Sequence, residues 1–387
     1  MNYRTNIVNG DELSALGFGC MRFPKDEGET ERLILHAIDN GVNYFDTAYI
    51  YPNSEATLGR ILSKHNKRGD VKIATKIPPY FIKKYDDLES FFNKQLTRLQ
   101  TDYIDYYLVH MLTDAGVWER LLGLGIEKWI TQKKAENKIK NIGFSYHGGQ
   151  EEFIKICDVR RWDFCLIQYN YLDENNLAGR HGLAHAAQTM PVMIMEPLRG
   201  GVLANNLPKS AMEALGQAGA ARTPAEWALR WLWDQPEPTC VLSGMNSMEM
   251  LNENIKTASA ASAGDFAESD YAAIAKAKAA LAESIKVPCT ACGYCMPCPQ
   301  GVDIPTCFFC YNDTAIMGKA KALTNYMSQT SFKSKPQMAS LCNGCGICEK
   351  KCPQKIEIRK ELQNTVKAFE KFYFKPAMFF VRRMMRL

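Results

Sequence analysis

Short apolar runs punctuate the first two-thirds of the chain: LGFG, NYFDTA, VKIATKI, YIDYYLVH, IKNIGFS, FCLIQYN, PVMIMEPL and TCVLSGM. Each is rich in Val, Ile, Tyr or Phe, as expected of a parallel strand buried on both faces. Between most of them lie segments such as ETERLILHAIDN, DDLESFFNKQLTRL and AEWALRWLW, whose apolar residues return with a helical period. Eight strand–helix units over about 255 residues predict an α/β fold, the (β/α)8 TIM barrel. A doubly wound sheet is the competing architecture. It needs a G-x-G-x-x-G turn after the first strand, and LGFGCMRF does not supply one.

The pattern changes after Thr257. TASAASAGDFAESD is rich in Ala and Ser, and YAAIAKAKAALAESI then predicts a helix leading into a cysteine-rich region. We therefore divide the chain into a barrel (1–257), a helical linker (258–285), a small helix-and-loop domain (286–360) and a tail (361–387). The tail, ELQNTVKAFEKFYFKPAMFFVRRMMRL, is basic and aromatic, with a helix predicted up to Pro376. It either packs on its own barrel or a second subunit, or it docks an acidic electron carrier or anionic lipid heads in a peripheral membrane contact.

Composition adds limits. In 387 residues, 46% hydrophobic and 23% charged is ordinary globular usage, with room for two cores. The N-terminus lacks the apolar core of a secretory signal, and no run of apolar residues is long enough to span a bilayer, so the expected location is the cytoplasm. The formal net charge is +5. Lys367, Lys371, Lys375, Arg382, Arg383 and Arg386 against Glu370 alone place a surplus of that size in the last 21 residues. The remainder is near neutral, which argues against nucleic acid as a partner.

Ten of the fourteen cysteines fall between Cys289 and Cys352. In a cytoplasmic chain such clustering points to metal before disulfide. The runs are Cys289-x2-Cys292-x2-Cys295-x2-Cys298-Pro299 and Cys342-x2-Cys345-x2-Cys348-x3-Cys352-Pro353. Paired C-x2-C units also make zinc knuckles, but a zinc site has no use for the third regularly spaced cysteine of each run. The second run has the bacterial ferredoxin spacing, so the region resembles the two-cluster ferredoxins. That resemblance implies two [4Fe-4S] clusters, one held by Cys289, Cys292, Cys295 and Cys352, the other by Cys342, Cys345, Cys348 and Cys298. The x2 gap before Cys298 departs from the pattern and leaves Cys307 or Cys310 as substitutes for it.

On the eight-strand reading, Asp46 and Tyr51 follow strand two, Lys76 ends strand three and His110 ends strand four, where barrel enzymes build their pockets. FDTAYIYPNSEATLG, IATKI and YYLVH resemble the catalytic segments of the aldo-keto reductase superfamily. Together with the cysteine region, the chain resembles its ferredoxin-fused branch. The resemblance implies a small-molecule oxidoreductase with Asp46, Tyr51, Lys76 and His110 as its catalytic tetrad. A phenol of pKa near 10 is a weak acid at neutral pH. Lys76 would stabilise its phenolate, Asp46 would hold Lys76, and His110 would bind the substrate oxygen. For His147, beyond strand five, a loop hydrogen bond is the expected role.

The same resemblance implies nicotinamide contacts from Ser145 and Gln168, and nucleotide contacts from Gly244, Glu253 and Asn254 in LSGMNSMEMLNENI. Met195 stands where the family usually stacks an aromatic ring on the nicotinamide. Tyr146 replaces a frequent Asn, and Met250 the usual grip on a 2′-phosphate. NADPH, NADH, a flavin or no dissociable cofactor are the alternatives for the barrel. Hydride transfer moves two electrons together and a [4Fe-4S] cluster one at a time. The leading expectation is therefore a reductase of a carbonyl-type or related unsaturated substrate, its clusters linked to a ferredoxin or similar carrier. The alternatives are a plain NAD(P)H aldo-keto reductase with structural clusters, and a redox-sensing or electron-transfer subunit.

Overall fold

A computed structural model describes the chain apart from residues 206, 219–220, 284, 290–292, 353 and 386–387. Two short strands, β1 (Tyr3–Thr5) and β2 (Glu12–Ser14), pair antiparallel ahead of the barrel, a hairpin that the apolar pattern does not announce. The eight predicted runs then become β3 (Leu16–Gly19), β4 (Tyr44–Asp46), β5 (Lys72–Ile77), β6 (Ile104–Leu112), β7 (Ile139–Tyr146), β8 (Phe164–Gln168), β9 (Val192–Met195) and β10 (Pro238–Ser243). Neighbours pair in parallel, and β10 returns to β3 to close the barrel.

Alternation along the strands decides what faces inward. Tyr44, Ala74, Tyr106, Leu108, Leu166 and Met193 pack in the barrel interior with Leu13 of β2. Phe45, Ile73, Tyr107, Val109 and Ile194 join the outer core beneath the helices. Two residues beyond the last inward apolar positions stand Asp46, Lys76, His110, Gln168 and Met195. The two-residue period thus carries these side chains toward the inside of the barrel's C-terminal mouth.

The stretch 258–285 contains the helix Glu268–Ala282, which buries Ala273, Ile274, Ala277 and Leu281 in the barrel's own outer core. The cysteine region builds a second core from Val302, Ile304, Phe308, Tyr326, Leu362 and Phe369. Its helix Ile304–Ile316 starts at Asp303, whose side chain accepts from Thr306 N, with Pro305 in the first turn.

The tail departs from the sequence expectation in two ways. Pro376 does not end a helix: one helix spans Ile358–Phe369, and a second, Phe374–Met385, carries Pro376 in its first turn, where no backbone N–H is required. The tail also packs on the cysteine domain rather than on the barrel. Phe374 and Met378 enter that domain's core, and Arg382 donates to the carbonyls of Ser331, Lys333 and Ser334.

The cysteine domain seats on the loops that follow the barrel strands. After β6, the Asp114 carboxylate accepts from Ser334 N (3.0 Å) and Ser334 Oγ (2.9 Å). After β9, Arg199 Nη2 donates to Asp313 Oδ1 of the helix Ile304–Ile316 (2.5 Å), and its guanidinium lies 4.9 Å from the Phe309 ring centre. Arg199 Nε is also 3.4 Å from Asp173 Oδ2, which follows β8. All three charged groups are buried. Ile316 and Met317 at the end of the same helix pack against the barrel's outer core.

Candidate active site and cluster ligands

At the end of β5, Lys76 Nζ donates to Asp46 Oδ1 (2.5 Å) and to Thr47 O (2.7 Å), and it lies 5.1 Å from the Tyr51 ring centre. The His110 ring stands edge-on to Tyr51 with centres 6.0 Å apart. The loop carrying Tyr51 is pinned at its C-terminal end. Asn53 adopts a left-handed conformation (φ 57°), and the helix Ser54–Lys64 then begins. Its buried Glu55 accepts from Thr75 Oγ1 and Gln95 Nε2, both at 2.7 Å, and so ties the Tyr51 loop to the strand of Lys76. Thr47 Oγ1 and Ser54 Oγ share a hydrogen bond of 2.7 Å, and Ser54 Oγ reaches Cys20 O.

The electrostatics of this group follow from burial in low dielectric against close charges. Burial pulls the Lys76 ammonium down, but Asp46 and Tyr51 together outweigh it and hold the ammonium above its ordinary value. Burial pushes the Tyr51 phenol up, and the neighbouring Lys76 offsets only part of that. The Tyr51 side chain is therefore a protonated phenol rather than a phenolate. Burial, with Lys76 and His147 nearby, drives His110 well below its ordinary value, so it is a neutral imidazole.

Two further groups belong to this pocket. His147 does not make the loop hydrogen bond expected of it. No described residue hydrogen-bonds its ring, and burial beside Lys76 lowers it to about 4. Glu196 follows Met195 in a left-handed conformation (φ 56°), strained for a residue with a side chain. Burial raises its carboxyl, against Arg22, the Gly200 N–H and Lys321, and its charge is felt by Tyr51. The sequence signal for Glu196 was its place directly beyond β9, hidden because one carboxylate in a loop is an ordinary surface residue.

The residues expected to hold a nicotinamide nucleotide divide into free and committed groups. Ser145 Oγ accepts from Met111 N (2.8 Å), which leaves its own proton to donate. Gly244 is exposed, with open space where a Cβ would stand. Gln168 Nε2, however, donates to Asp173 Oδ2 (3.1 Å), Asn254 Nδ2 donates to Ser243 Oγ (3.0 Å), and Glu253 accepts from Thr223 Oγ1. Met195 packs against the barrel interior, and Met250 is exposed near the start of the helix Met248–Ala260.

In the cysteine domain, a cavity is lined by Cys289, Cys295 and Cys352 with Gly293, and walled by Ile304, Phe308, Ile356 and Ile358. It is lined by cysteines of both runs, as the crossed pairing would require, and an apolar wall with a soft donor set suits an iron-sulfur group. Cys292, the fourth member, lies outside the described residues. Of the second set, Cys348 is buried, Cys298 and Cys342 are half-buried and Cys345 is exposed. Left-handed Gly344 and Gly346 flank Cys345. Cys307 and Cys310 are wholly buried on the helix Ile304–Ile316, their thiols directed at Gln337 O (3.8 Å) and Gln329 Oε1 (3.9 Å).

A closed parallel barrel whose mouth gathers Asp, Tyr, Lys and His under a cysteine-rich cap defines a TIM-barrel oxidoreductase with iron-sulfur centres. The chain belongs to the aldo/keto reductase family: the family pattern matches residues 15–278, and a 4Fe-4S dicluster domain matches 288–357. The chain is 25% identical over 284 residues to the uncharacterized oxidoreductase YqkF of Bacillus subtilis, covering 64% of this chain and 88% of that one. It is 26% identical to the probable aldo-keto reductase 1 of Glycine max, covering 64% and 82%. The fold is similar to the holo form of aldo-keto reductase AKR11C1 from Bacillus halodurans, with TM-score 0.60 and 23% identity over 72% of this chain and 96% of that one. Among the described residues, no helix is long and apolar enough to cross a membrane.

Proposed function

We propose that the chain reduces a small carbonyl-type or related unsaturated organic substrate in the barrel pocket, with Tyr51 as proton donor and two [4Fe-4S] clusters relaying electrons from a low-potential carrier such as a ferredoxin. The observation that carries this reading is the seating of the cysteine domain on the barrel mouth, through Arg199, Asp313, Asp114 and Ser334. A domain that only folded around its own clusters would not need to dock on the loops at the barrel mouth. In this reading Cys298 completes the second cluster, since Cys307 and Cys310 are committed to the domain core.

The clusters would supply electrons singly; the chain's own residues manage the protons. Reduction of a carbonyl consumes two electrons and two protons. Tyr51 gives one proton to the substrate oxygen, and the Lys76 charge, fixed by Asp46, stabilises the phenolate left behind. Neutral His110 keeps an N–H for the same oxygen. The carbon takes either a hydride, which carries both electrons, or two electrons and a proton for which the raised carboxyl of Glu196 is the available donor. The cap excludes bulk water and strengthens each of these interactions.

The plain NAD(P)H reading rests on open Gly244 and on Ser145, and on the family itself. One experiment separates the two. Under anaerobic conditions, NADH, NADPH and reduced ferredoxin are each mixed with protein, cluster bleaching is followed, and 4-nitrobenzaldehyde is turned over in deuterated water. The proposal expects bleaching by ferredoxin and solvent deuterium on the product carbon. Bleaching by none of the three, with unlabelled carbon from NADPH, returns the barrel to ordinary hydride chemistry. Tyr51→Phe should lower turnover by about a hundredfold or more with cluster absorbance unchanged; full activity removes Tyr51 from the acid role.

A further inference from the structure

The helix Phe374–Met385 has apolar residues on both its faces. Its inner face is accounted for: Phe374 and Met378 are buried in the cysteine domain, and Arg382 caps three backbone carbonyls. Its outer side, with the turn before it, is not. Phe372 is 93% exposed, Phe380 69%, Phe379 62%, Met384 61% and Tyr373 52%. These are among the most exposed large apolar side chains described, and they gather within thirteen residues of one element. Exposure of this kind marks an interaction surface.

Charge selects the occupant. Lys367, Lys371, Lys375 and Arg383 are exposed around the aromatic side chains, and after Glu370 the sequence contains no Asp or Glu to its end. A basic rim around protruding aromatic and Met side chains fits a negatively charged layer with an apolar interior. The form of the surface points the same way. Phe379 and Phe380 are adjacent, with ring centres 5.8 Å apart, and stand out from the helix rather than lining a groove. A protein partner would have to offer a pocket for each ring, whereas a bilayer accepts them without complementary shape. A twelve-residue helix is about 18 Å long, too short to span a bilayer and long enough to lie in its interface.

We propose that this helix docks the protein on an anionic lipid surface, with Phe372, Phe379 and Phe380 inserted among the acyl chains and the basic side chains on the headgroups. The docking is independent of the chemistry in the barrel. Because the helix is fixed to the cysteine domain by its buried face, that domain would be held against the lipid.

The test uses the full-length, cluster-loaded protein and vesicles of phosphatidylcholine with and without phosphatidylglycerol. Sedimentation with the anionic vesicles should exceed that with neutral ones by about tenfold and fall with salt. The double change Phe379→Ser and Phe380→Ser should abolish it while cluster absorbance and activity stay as they were. In Phe380→Trp, anionic vesicles should shift the emission to the blue, and brominated acyl chains should quench it. Equal binding to both vesicles, or binding to anionic vesicles without quenching, overturns the insertion. No vesicle binding together with saturable binding of an acidic ferredoxin, weakened by Lys371→Glu and Lys375→Glu, overturns the proposal in favour of a protein partner.

Discussion

The barrel sets its reactive side chains on strands, whereas the cysteine domain hangs its sulfurs from loops, and the two differ in what stands behind each group. Behind Lys76 are Asp46, Thr47 O and, through Thr75, the buried Glu55–Gln95 pair. Among the described residues, Cys345 is backed by Asn343 Oδ1 on its backbone N–H and by two left-handed glycines. The barrel's outer core draws on every strand and most helices, while the cysteine domain's core is a few helices wide. The Asp46–Lys76 pair is therefore prearranged by the fold, whereas the cysteine domain would draw part of its folding free energy from the groups it binds, since metal binding can supply what a small core lacks.

The largest effect expected from this difference comes from a cluster ligand. Cys352→Ser should remove the cluster that the crossed pairing assigns to it, lowering bound iron by about half, and should loosen the cysteine domain while the barrel keeps its circular dichroism. Iron and sulfide analysis with limited proteolysis reads both parts. A variant with full iron content would break the crossed assignment, and one whose barrel also unfolds would break the contrast between the domains.

The joint between the domains comes next. Arg199 has Asp173 on the barrel side and Asp313 on the cysteine side, and burial raises the Asp313 carboxyl to about 6 against the pull of Arg199. Asp313→Ala leaves the guanidinium buried between one partner and Phe309, at a cost of about 3–5 kcal/mol. Because each domain has its own core, the cost should appear as undocking, seen as faster cleavage near the joint and lost turnover with normal iron. Arg199→Met combined with Asp313→Leu should recover most of the docking, since a buried pair can be replaced by apolar packing of similar volume. If the double variant is no better docked than the single one, the pair was not what held the domains.

Much of this architecture could be read from residue order, and the parts that could not share a cause. Eight apolar runs reappear as eight strands because parallel strands buried on both faces leave no ambiguity of face. That Asp46, Lys76 and His110 gather at one mouth was legible because alternation places them at the last inward positions of their strands. Hidden were the contacts made only by tertiary docking: that Arg199 would meet Asp313 more than a hundred residues later, that Gln168 would be drawn to Asp173, and that Pro376 would open a helix. Spacing carries the information for a cluster ligand, but a side chain such as Glu196 gains its character from a cap built elsewhere in the chain.

The smallest effect tests that cap from inside the pocket. His147 titrates at about 4 in the folded protein, against about 6.5 in an unfolded chain. Between those values the unfolded state binds more protons than the native one, so stability rises with pH through the window and falls on acidification. Moving from pH 7.5 to 5.5 should destabilise the protein by about 1 kcal/mol through this residue, and His110, lowered in the same sense, adds to it. In His147→Gln the fall in melting temperature over that range should be smaller than in the unmodified protein, both carrying the same clusters. Parallel slopes would mean that the imidazole is wetter than its surroundings imply. The Asp313→Ala variant sharpens the point: if the cap keeps the pocket dry, undocking should return His147 toward its ordinary value and shrink the same slope without touching the histidine.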